Sequence, residues 1–493
     1  MWAKIKYTSL LITCALLFRS KGYATPVFAI PNDLGEGQLA PLNLTNAQQK
    51  FISQLVFDSL VTQDTNNRFI SSIAKSWSID PSLNTIDFVI DSAIRFSDGS
   101  ALTIQDIVSS FEASCVAKKK GDLNSIFHGC ESGSKLKFSV VNEDTIRLYS
   151  KVSPSLALGQ LSGGNFPVFK KVKEKYLGSG PYFIESHSKY AMRLKKNRFT
   201  SNIQGLETLE IRTVPEEQIA EQIRQGELTG AIMYLASSFS YKIRGFHKIN
   251  SNTPNTTLSF FPNNKEYPFS DSALRKSIHH SIKKVDFSIC YSHAHRPNGL
   301  VPFGVGGSLP IENGRQDYQI LVKARKNTKL SIYGHVGRKN QCVQDKLVRV
   351  FKNHGIDPEF FYLGDYKKLW PIYLSKTNQA FLELAAFKYR DAYSILKYFS
   401  SDGKTNFINL SSDRYDALLF EANSALSRSR RLIGYQKAGR YLDRNSHIFP
   451  LAYLFHTVVL RSSCISRVDD VNDFNPFLFL RDISLIEGKK CNG

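Results

Sequence analysis

Residues 55–113 read LVFDSLVTQDTNNRFISSIAKSWSIDPSLNTIDFVIDSAIRFSDGSALTIQDIVSSFEA, and they carry the clearest structural signals in the chain. Ile86, Phe88 and Ile90 recur at every second position, which is the period of a strand with one buried face. An Asp-Gly pair follows at 98–99 and predicts a turn, because glycine adopts positive φ without a steric penalty. The first part of the stretch therefore predicts a strand that leads into a tight turn.

The second part of the stretch predicts a helix. Thr103 stands where an N-cap belongs, and Asp106 follows three residues later, a pattern similar to a capping box with Asp in place of Glu or Gln. Apolar residues then recur at helical spacing, namely Ile104, Ile107, Val108 and Phe111. On periodicity alone, strand, turn and helix indicate a corner that many α/β folds contain.

The order of these motifs resembles the opening of the extracellular solute-binding proteins of family 5, large periplasmic proteins that feed peptide-type ABC transporters. Members carry a similar succession of A-x-S-W, alternating strands and F-x-D-G-x-x-L-T-x-x-D. The matching segments are AKSW at 74–77 and FSDGSALTIQD at 96–106. The resemblance implies a protein that binds and delivers a ligand and catalyses nothing.

Further segments resemble the family in the same order. LGSGPYF at 177–183 is similar to a G-T-G-P-Y strand entry, in which two glycines and a proline fix a tight backbone path. FSDSALRKSIHHSIKK at 269–284 is similar to a helix of the family's second lobe, and Ser270 can cap it. Strands alternate with helices between 329 and 387, which indicates an α/β sheet.

The resemblance implies an α/β fold, the two-lobe periplasmic binding protein (type II, large peptide-binding class) with two crossing hinge strands. TLSFFPNN at 257–264 resembles a crossing strand, and PLAYLF at 450–455 resembles the return strand to lobe one. The ligand would lie in the cleft between lobes that close by hinge bending. The implied division is a signal peptide at 1–24, lobe one at 30–254 with an inserted subdomain near 50–170, lobe two at 255–450, and a return to lobe one at 451–493.

The chain begins with the features of a secretory signal. Lys4 and Lys6 precede an apolar run at 7–18 that is too short to span a membrane. Cleavage after Ala24 or Ala29 would give a periplasmic protein. Cys14 raises a lipoprotein as an alternative, but Thr13 precedes it where Gly or Ala is usual.

Six of the seven cysteines lie beyond the signal, and an even number in an exported protein favours disulfides. Six cysteines allow fifteen pairings, so the connectivity does not follow from the sequence. Our working hypothesis pairs neighbours along the chain: Cys115 with Cys130, Cys290 with Cys342, and Cys464 with Cys491. Free buried thiols are the alternative.

The formal net charge of +21 belongs to dispersed residues. The densest runs, at 118–120 and at 428–431 (RSRR), are too short for a nucleic-acid-binding tail, and most of these charges are expected to be solvated. We therefore expect no nucleic-acid partner. The partners implied by the resemblance are a small-molecule or peptide ligand and an inner-membrane ABC permease, with the protein acting as a monomer and without a cofactor.

The resemblance also places a candidate binding segment at 385–393, AAFKYRDAY, which corresponds to G-W-x-x-D-Y-x-D-P in peptide-binding members. In that pattern the first Asp pairs with the ligand's α-ammonium group. Asp391 matches the second Asp, but Lys388 stands where the first belongs. A lysine repels an ammonium group and donates to anions, so Lys388 and Arg390 favour a ligand with an anionic group. Alternatively, Lys388 points to solvent or the alignment slips by one residue.

Aromatic side chains often line such clefts. The candidates here are Phe261, Trp370, Phe387 and Tyr389, with Phe260 as a further one. Each is also a suitable core residue, and base rates favour the core.

Three other functions compete with transport. Cys290, His293 and His295, with His279 and His280 nearby, suggest a metal-complex or haem-binding relative, although their spacing matches no recognised zinc site. An enzyme is disfavoured because the sequence lacks G-x-S-x-G, H-E-x-x-H and a P-loop. An envelope sensor or scaffold for peptides that has lost transport remains compatible with the replacement of the first Asp.

Overall fold

A computed structural model describes residues 25–31, 34, 39–44, 47–64, 68–117, 127–129, 136–162, 166–200, 205–233, 244–310, 320–335, 339–364, 366–387, 390–403, 406–425, 427–466, 468 and 471–486. The predicted signal peptide at 1–24, and with it Cys14, lies outside these residues. Within the described ranges, no helix combines the length and the apolar character that crossing a bilayer requires.

The strands are numbered along the chain. They are β1 (Val27–Ile30), β2 (Val61–Gln63), β3 (Phe69–Ser71), β4 (Ala74–Asp80), β5 (Thr85–Ile90), β6 (Phe138–Asn142), β7 (Thr145–Tyr149), β8 (Lys170–Val172), β9 (Lys175–Leu177), β10 (Tyr182–His187), β11 (Ala191–Lys196), β12 (Thr208–Thr213), β13 (Gly230–Met233), β14 (Phe246–Asn250), β15 (Thr256–Pro262), β16 (Ala294–His295), β17 (Thr328–His335), β18 (Ile356–Leu363), β19 (Ala380–Ala386), β20 (Phe449–Leu454) and β21 (Thr457–Arg461).

The α-helices are numbered in the same way. They are α1 (Ala47–Ser53), α2 (Ile104–Ala117), α3 (Pro154–Ser162), α4 (Glu216–Arg224), α5 (Ser272–Lys283), α6 (Gln341–Asn353), α7 (Tyr366–Ser375), α8 (Tyr393–Leu396), α9 (Asp413–Ser424) and α10 (Arg428–Arg444).

Three larger sheets organise the chain. A seven-stranded sheet has the order β10-β11-β12-β1-β13-β21-β14, and a six-stranded sheet has the order β16-β20-β15-β19-β17-β18. A four-stranded sheet, β4-β5-β7-β6, is inserted between β1 and β10 of the seven-stranded sheet, and β2-β3 and β8-β9 form separate pairs. Parallel and antiparallel strands mix in both large sheets, so the predicted α/β class is confirmed.

The opening motif folds as its sequence predicts. Ile86, Phe88 and Ile90 are buried on β5, and Gly99 has a φ of +88°. The main-chain nitrogen of Thr103 donates to the Asp106 carboxylate at 2.9 Å, and the main-chain nitrogen of Asp106 donates to the Thr103 hydroxyl at 3.2 Å. These reciprocal bonds satisfy two amide groups at the start of α2, and the capping box is confirmed.

The glycines of LGSGPYF are required by a close approach of two backbones. A Cβ atom on Gly178 would lie 1.9 Å from the carbonyl oxygen of Val56, and one on Gly180 would lie 2.7 Å from the carbonyl carbon of the same residue. The amide nitrogen of Gly180 donates to that carbonyl oxygen at 3.0 Å. This contact fixes the loop after α1 against the entry to β10.

The six-stranded sheet encloses an aromatic core. Phe260 on β15 stacks on Phe449 with ring centroids 5.6 Å apart, and it also contacts Phe269 and Phe351 at 5.5 and 5.2 Å. Asp271, not the predicted Ser270, caps α5, because its carboxylate reaches the main-chain nitrogens of the first turn at 3.0 and 3.1 Å. The helix therefore begins one residue later than predicted.

Disulfide pairing is confirmed at one of the three predicted pairs. Cys290 and Cys342 form a disulfide with their Cα atoms 5.6 Å apart, which joins the segment after α5 to the start of α6. Cys115 and Cys464 are also disulfide-bonded. Their predicted partners, Cys130 and Cys491, lie outside the described residues, so those two pairings stay predictions.

Two linking segments connect the large sheets, residues 251–255 between β14 and β15 and residues 455–456 between β20 and β21; we call them together the junction. PLAYLF at 450–455 was expected to be the return strand to lobe one. Instead β20 belongs to the six-stranded sheet, where it pairs with β15 and β16, and β21 is the strand that re-enters the seven-stranded sheet. The physical reason is that Leu451 and Leu454 fill the core of the six-stranded sheet.

Candidate functional site

The two linking segments of the junction are hydrogen-bonded to each other. The main-chain nitrogen of Ser251 donates to the carbonyl oxygen of His456 at 2.9 Å, and the main-chain nitrogen of His456 donates to the Ser251 hydroxyl at 3.1 Å. The side-chain nitrogen Nδ2 of Asn255 lies 2.7 Å from Nε2 of His456. Because Nδ2 is a donor only, the ring nitrogen acts as the acceptor. All three residues are buried, so the junction is a polar cluster inside the protein.

The candidate segment leaves the six-stranded sheet beside this junction. Phe387 follows β19, and its main-chain nitrogen donates to the carbonyl oxygen of Asn255 at 2.8 Å. Gly306 holds the next part of the segment, because it donates to the carbonyl oxygen of Arg390 and accepts from the main-chain nitrogen of Ala392. Phe387, Arg390 and Ala392 are therefore each held by main-chain hydrogen bonds.

Arg390 forms an ion pair with the C-terminal part of the chain. Its guanidinium donates to the carboxylate of Asp473, which also accepts the main-chain nitrogen and the hydroxyl of Thr253 at 2.9 and 2.7 Å. The Arg390 guanidinium also lies 5.8 Å from the centre of the Phe474 ring. Because Asp473 is buried, this pair ties the segment to the junction and to the C-terminal residues that follow β21.

Asp391 forms an ion pair in a different direction. It is buried, and its carboxylate accepts from Nη2 of Arg431 at 3.1 Å and from the main-chain nitrogen of Tyr393 at 3.1 Å. Burial raises the pKa of Asp391 above its usual range, and the Arg431 guanidinium opposes this shift. Nη1 of Arg431 donates to the hydroxyls of Ser153 and Ser155, at 2.9 and 2.6 Å, where α3 begins.

A cavity lies close to these groups and is lined mainly by amide and hydroxyl side chains. It has room for about one water molecule, whereas sites for small solutes span several hundred Å³. Its lining residues are Gln54, Thr62, Gln63, Ser162, Asn472, Phe474, Asn475 and Leu478. Admission of a larger solute at this place therefore requires the surrounding parts to separate.

The other predicted site residues lie in varied surroundings. Phe261 is buried, with Phe399 and Phe407 as ring neighbours at 6.0 and 5.2 Å. Trp370 on α7 is 48% exposed and contacts the ring of Tyr373 at 5.9 Å. Lys388 and Tyr389 lie outside the described residues. Of the predicted residues, Phe387 contacts the junction directly and Arg390 contacts it through Asp473, whereas Asp391 pairs with Arg431.

Arg431 contacts the candidate segment but was not singled out in the sequence. Most of the charges in the chain were expected to be solvated, and Arg431 is an exception within RSRR, because its exposed fraction is 1%. A signal for its burial does exist in the sequence. Arg431 falls on the stripe of α10 that Tyr435, Ala438 and Leu442 continue, all of them buried. Asp473, Ser153 and Ser155 carry no comparable signal.

The alternative of a metal site at Cys290, His293 and His295 lacks its sulfur ligand. Cys290 is in a disulfide, so its sulfur is not available as a ligand. The ring centroids of His293 and His295 pack 4.4 and 5.2 Å from Phe455, and His279 stacks on Phe449. In the part of the chain that the structure describes, no three His, Cys, Asp or Glu side chains are grouped so that they could hold a metal ion.

Comparison with known proteins identifies both family and fold. The family model described as "Bacterial extracellular solute-binding proteins, family 5 Middle" matches residues 68–334. The murein tripeptide binding protein MppA of Escherichia coli superposes with a TM-score of 0.76 at 14% identity, covering 94% of this chain and 98% of that one. The two-lobe periplasmic binding-protein fold predicted from the sequence is thereby confirmed.

Two further structures agree with that fold. The periplasmic binding protein DppA of Helicobacter pylori, in complex with the peptide STSA, gives a TM-score of 0.75 at 17% identity, covering 93% of this chain and 98% of that one. AgaA of A. tumefaciens R10, in complex with agropinic acid, gives 0.75 at 12% identity, covering 94% and 99%. At these identities the similarity shows the fold and not the ligand.

Proposed function

The chain belongs to the bacterial extracellular solute-binding proteins of family 5, and from this premise we propose that it captures a small solute between two lobes and delivers it to the permease of a peptide-type ABC importer. The proposal includes export through the signal at 1–24, a periplasmic location, a monomeric protein and no catalytic step. It also includes the division into lobes given by the sequence, with the return to lobe one moved to the junction at 455–456.

The observation that carries the proposal is the position of the segment Phe387–Asp391. It leaves the six-stranded sheet at the junction, and Arg390 and Asp391 contact different parts of the protein: Arg390 reaches Asp473, and Asp391 reaches α3 through Arg431. A solute seated on this segment therefore interacts with groups that depend on how the lobes are arranged. Differential binding of this kind is what allows a ligand to drive closure.

We assign the solute to short peptides or similar small molecules that carry an anionic group. Among proteins of this fold, DppA was solved with a peptide and AgaA with an acid. Lys388 replaces the carboxylate that would attract an ammonium group, so an anion is the better partner at that position. The charge of Arg390 is already matched by Asp473; Lys388 is therefore the first candidate for anion recognition and Arg390 the second.

Native mass spectrometry of protein purified from the periplasm without denaturation tests capture. The expected result is a species heavier than the mature polypeptide by one small molecule, which is lost at higher collision energy. Lys388→Ala should retain less of that cargo, whereas Lys368→Ala, which alters an exposed lysine of α7, should retain it fully. Equal retention in Lys388→Ala would remove Lys388 from the site but leave capture intact.

Two negative results together would contradict the proposed function. Every preparation would contain bare polypeptide, and calorimetry would detect no binding of a mixture of short peptides or of N-acylated peptides. The N-acylated arm matters because these peptides lack the ammonium group while keeping a carboxylate. Preference for them over free peptides is the expected order if Lys388 faces the ligand.

A further inference from the structure

Arg431 is an unusual residue for the interior. A guanidinium that is 1% exposed loses almost all of its hydration, and such a cation is found inside proteins only when partners compensate for that loss. Its position on the buried stripe of α10 places it between the six-stranded sheet region and the start of α3. Tyr435, one turn further along the helix, is also buried. The side chain thus lies where two parts of the protein meet.

The partners of Arg431 come from both parts. Asp391 is in the same region as α10, because both lie between β19 and β20 of the six-stranded sheet. Ser153 and Ser155 follow β7 of the four-stranded sheet and flank the first residue of α3. Their hydroxyls accept from Nη1 at 2.9 and 2.6 Å and lie 3.1 Å from each other. One guanidinium therefore joins an internal carboxylate to two hydroxyls of a different part.

The surroundings make these bonds sensitive to separation of the parts. The largest apolar cluster is continuous across the contact, since it contains residues that flank the serines (Val152 and Leu156) and residues that flank the ion pair (Ala392 and Tyr435). Hydrogen bonds to a charged donor are strengthened in such dry surroundings, and loss of them leaves the donor poorly solvated. Separation would keep the pair of Arg431 with Asp391 but break both bonds to the serines.

We propose that Arg431 is the positioning residue of an interlobe clasp: it couples the candidate segment, through Asp391, to Ser153 and Ser155 and so stabilises the closed arrangement. The inference deepens the proposed function, on which it rests for its biological meaning, since a solute on the segment and the clasp would favour the same arrangement. The clasp does not require Arg431 to touch the solute. Its contribution is made through the balance between closed and open forms.

The double variant Ser153→Ala with Ser155→Ala separates the clasp from the stability of the fold. It removes both cross-contacts and keeps the buried pair of Arg431 with Asp391, so the protein should fold, and the lost stabilisation should fall on the closed form. Arg430→Ala is the matched control, because Arg430 is the exposed neighbour on the same helix. Spin labels introduced by Leu83→Cys and Phe420→Cys report the distance between the parts, since these exposed positions lie beside β5 and on α9.

Pulsed electron–electron double resonance on the labelled protein, as purified, gives the populations of short and long distances between the two spin labels. We expect the ratio of short to long to fall about tenfold in the double serine variant, which corresponds to about 1.4 kcal/mol, and to stay unchanged in Arg430→Ala. An unchanged ratio in the double variant, an equal fall in the control, or a wild type without a short-distance population would overturn the clasp.

The same samples keep the clasp distinct from the proposed function. A serine-dependent short distance in protein that native mass spectrometry finds free of any small molecule would leave the clasp standing and reject solute capture. If instead solute is captured and the distance distribution does not depend on the serines, solute capture stands and the clasp is rejected.

Discussion

The interior of the six-stranded sheet and the junction are both buried, but they are built from opposite chemistry. In the interior, Phe260 packs between aromatic rings, and every residue of β15 is buried. In the junction, Ser251, Asn255 and His456 are held by hydrogen bonds. Opening an apolar core lowers the free energy of unfolding with every packing contact that is lost. A hydrogen bond within the protein can instead be exchanged for one to water, at a small net cost in free energy. The comparison indicates lobes that stay rigid and a junction that can change.

The largest effect is expected from an aromatic deletion in the interior. Phe260→Ala should lower the free energy of unfolding by about 4 kcal/mol, because it removes a fully buried ring and leaves a cavity among its neighbours. Chemical denaturation measures this loss, and Phe420→Ala, which truncates a ring that is 75% exposed on α9, should change it by less than about 0.5 kcal/mol. Similar losses for both variants would contradict the proposed dependence of stability on the aromatic interior.

The second effect separates two ion pairs that differ in burial. Asp391→Asn should cost about 3 kcal/mol of unfolding free energy, because Arg431 would keep its buried charge without a compensating carboxylate. Asp87→Asn removes the partner of Arg147 on the four-stranded sheet, a partly exposed pair at 2.7 Å, and should cost clearly less than Asp391→Asn, because water screens exposed pairs. Urea unfolding of both variants measures the two losses of unfolding free energy. A larger loss in Asp87→Asn than in Asp391→Asn would contradict the prediction.

The third effect is a loss of stability in acid that is expected to concentrate in the six-stranded region. Burial lowers the pKa of His447 to about 4 and holds that of His279 well below 6.5. The folded protein keeps these imidazoles neutral while the unfolded chain takes up protons, so stability is present above about pH 6.5 and is lost as the pH falls towards 4.

At pH 5, His447 alone should account for a loss of about 2 kcal/mol. Scanning calorimetry between pH 7 and pH 5 measures the dependence. His447→Gln should flatten the curve, and a curve as steep as that of the wild type would remove His447 as a cause.

The smallest effect on stability is expected at the junction itself. Ser251→Ala removes the hydroxyl that accepts the main-chain nitrogen of His456 and should cost about 1 kcal/mol. Its larger consequence should be faster hydrogen exchange of the His456 amide while the amides of β15 exchange as in the wild type. Equal acceleration in β15 would mean that junction and interior open together.

Local features of the fold could be predicted from the sequence because neighbours in the chain create them. The capping box of Thr103 and Asp106, the buried stripe of β5 and the turn at Gly99 all depend on residues a few positions apart. Even there, Asp271 and not Ser270 is the cap, because serine and aspartate are both favourable at this position and they are adjacent in the sequence.

The candidate site depends on contacts that periodicity cannot reveal. Asp391 lies 40 positions from Arg431, and Arg431 lies 278 positions from Ser153. Arg390 likewise pairs with Asp473, 83 positions further along the chain. The family resemblance located the segment, but the partners that neutralise its charges follow from the folded arrangement. Strand β20 shows the same limit, since its sequence suits either large sheet.

Small-angle X-ray scattering can show whether two rigid lobes close on a solute about the polar junction. The mature protein is measured before and after addition of the solute that native mass spectrometry identifies. A rigid-lobe protein with a polar junction should contract on binding, with a smaller radius of gyration and a profile fitted by rotation of two unchanged bodies. Identical profiles at saturating solute, or a change that requires one of the lobes to unfold, would contradict the account.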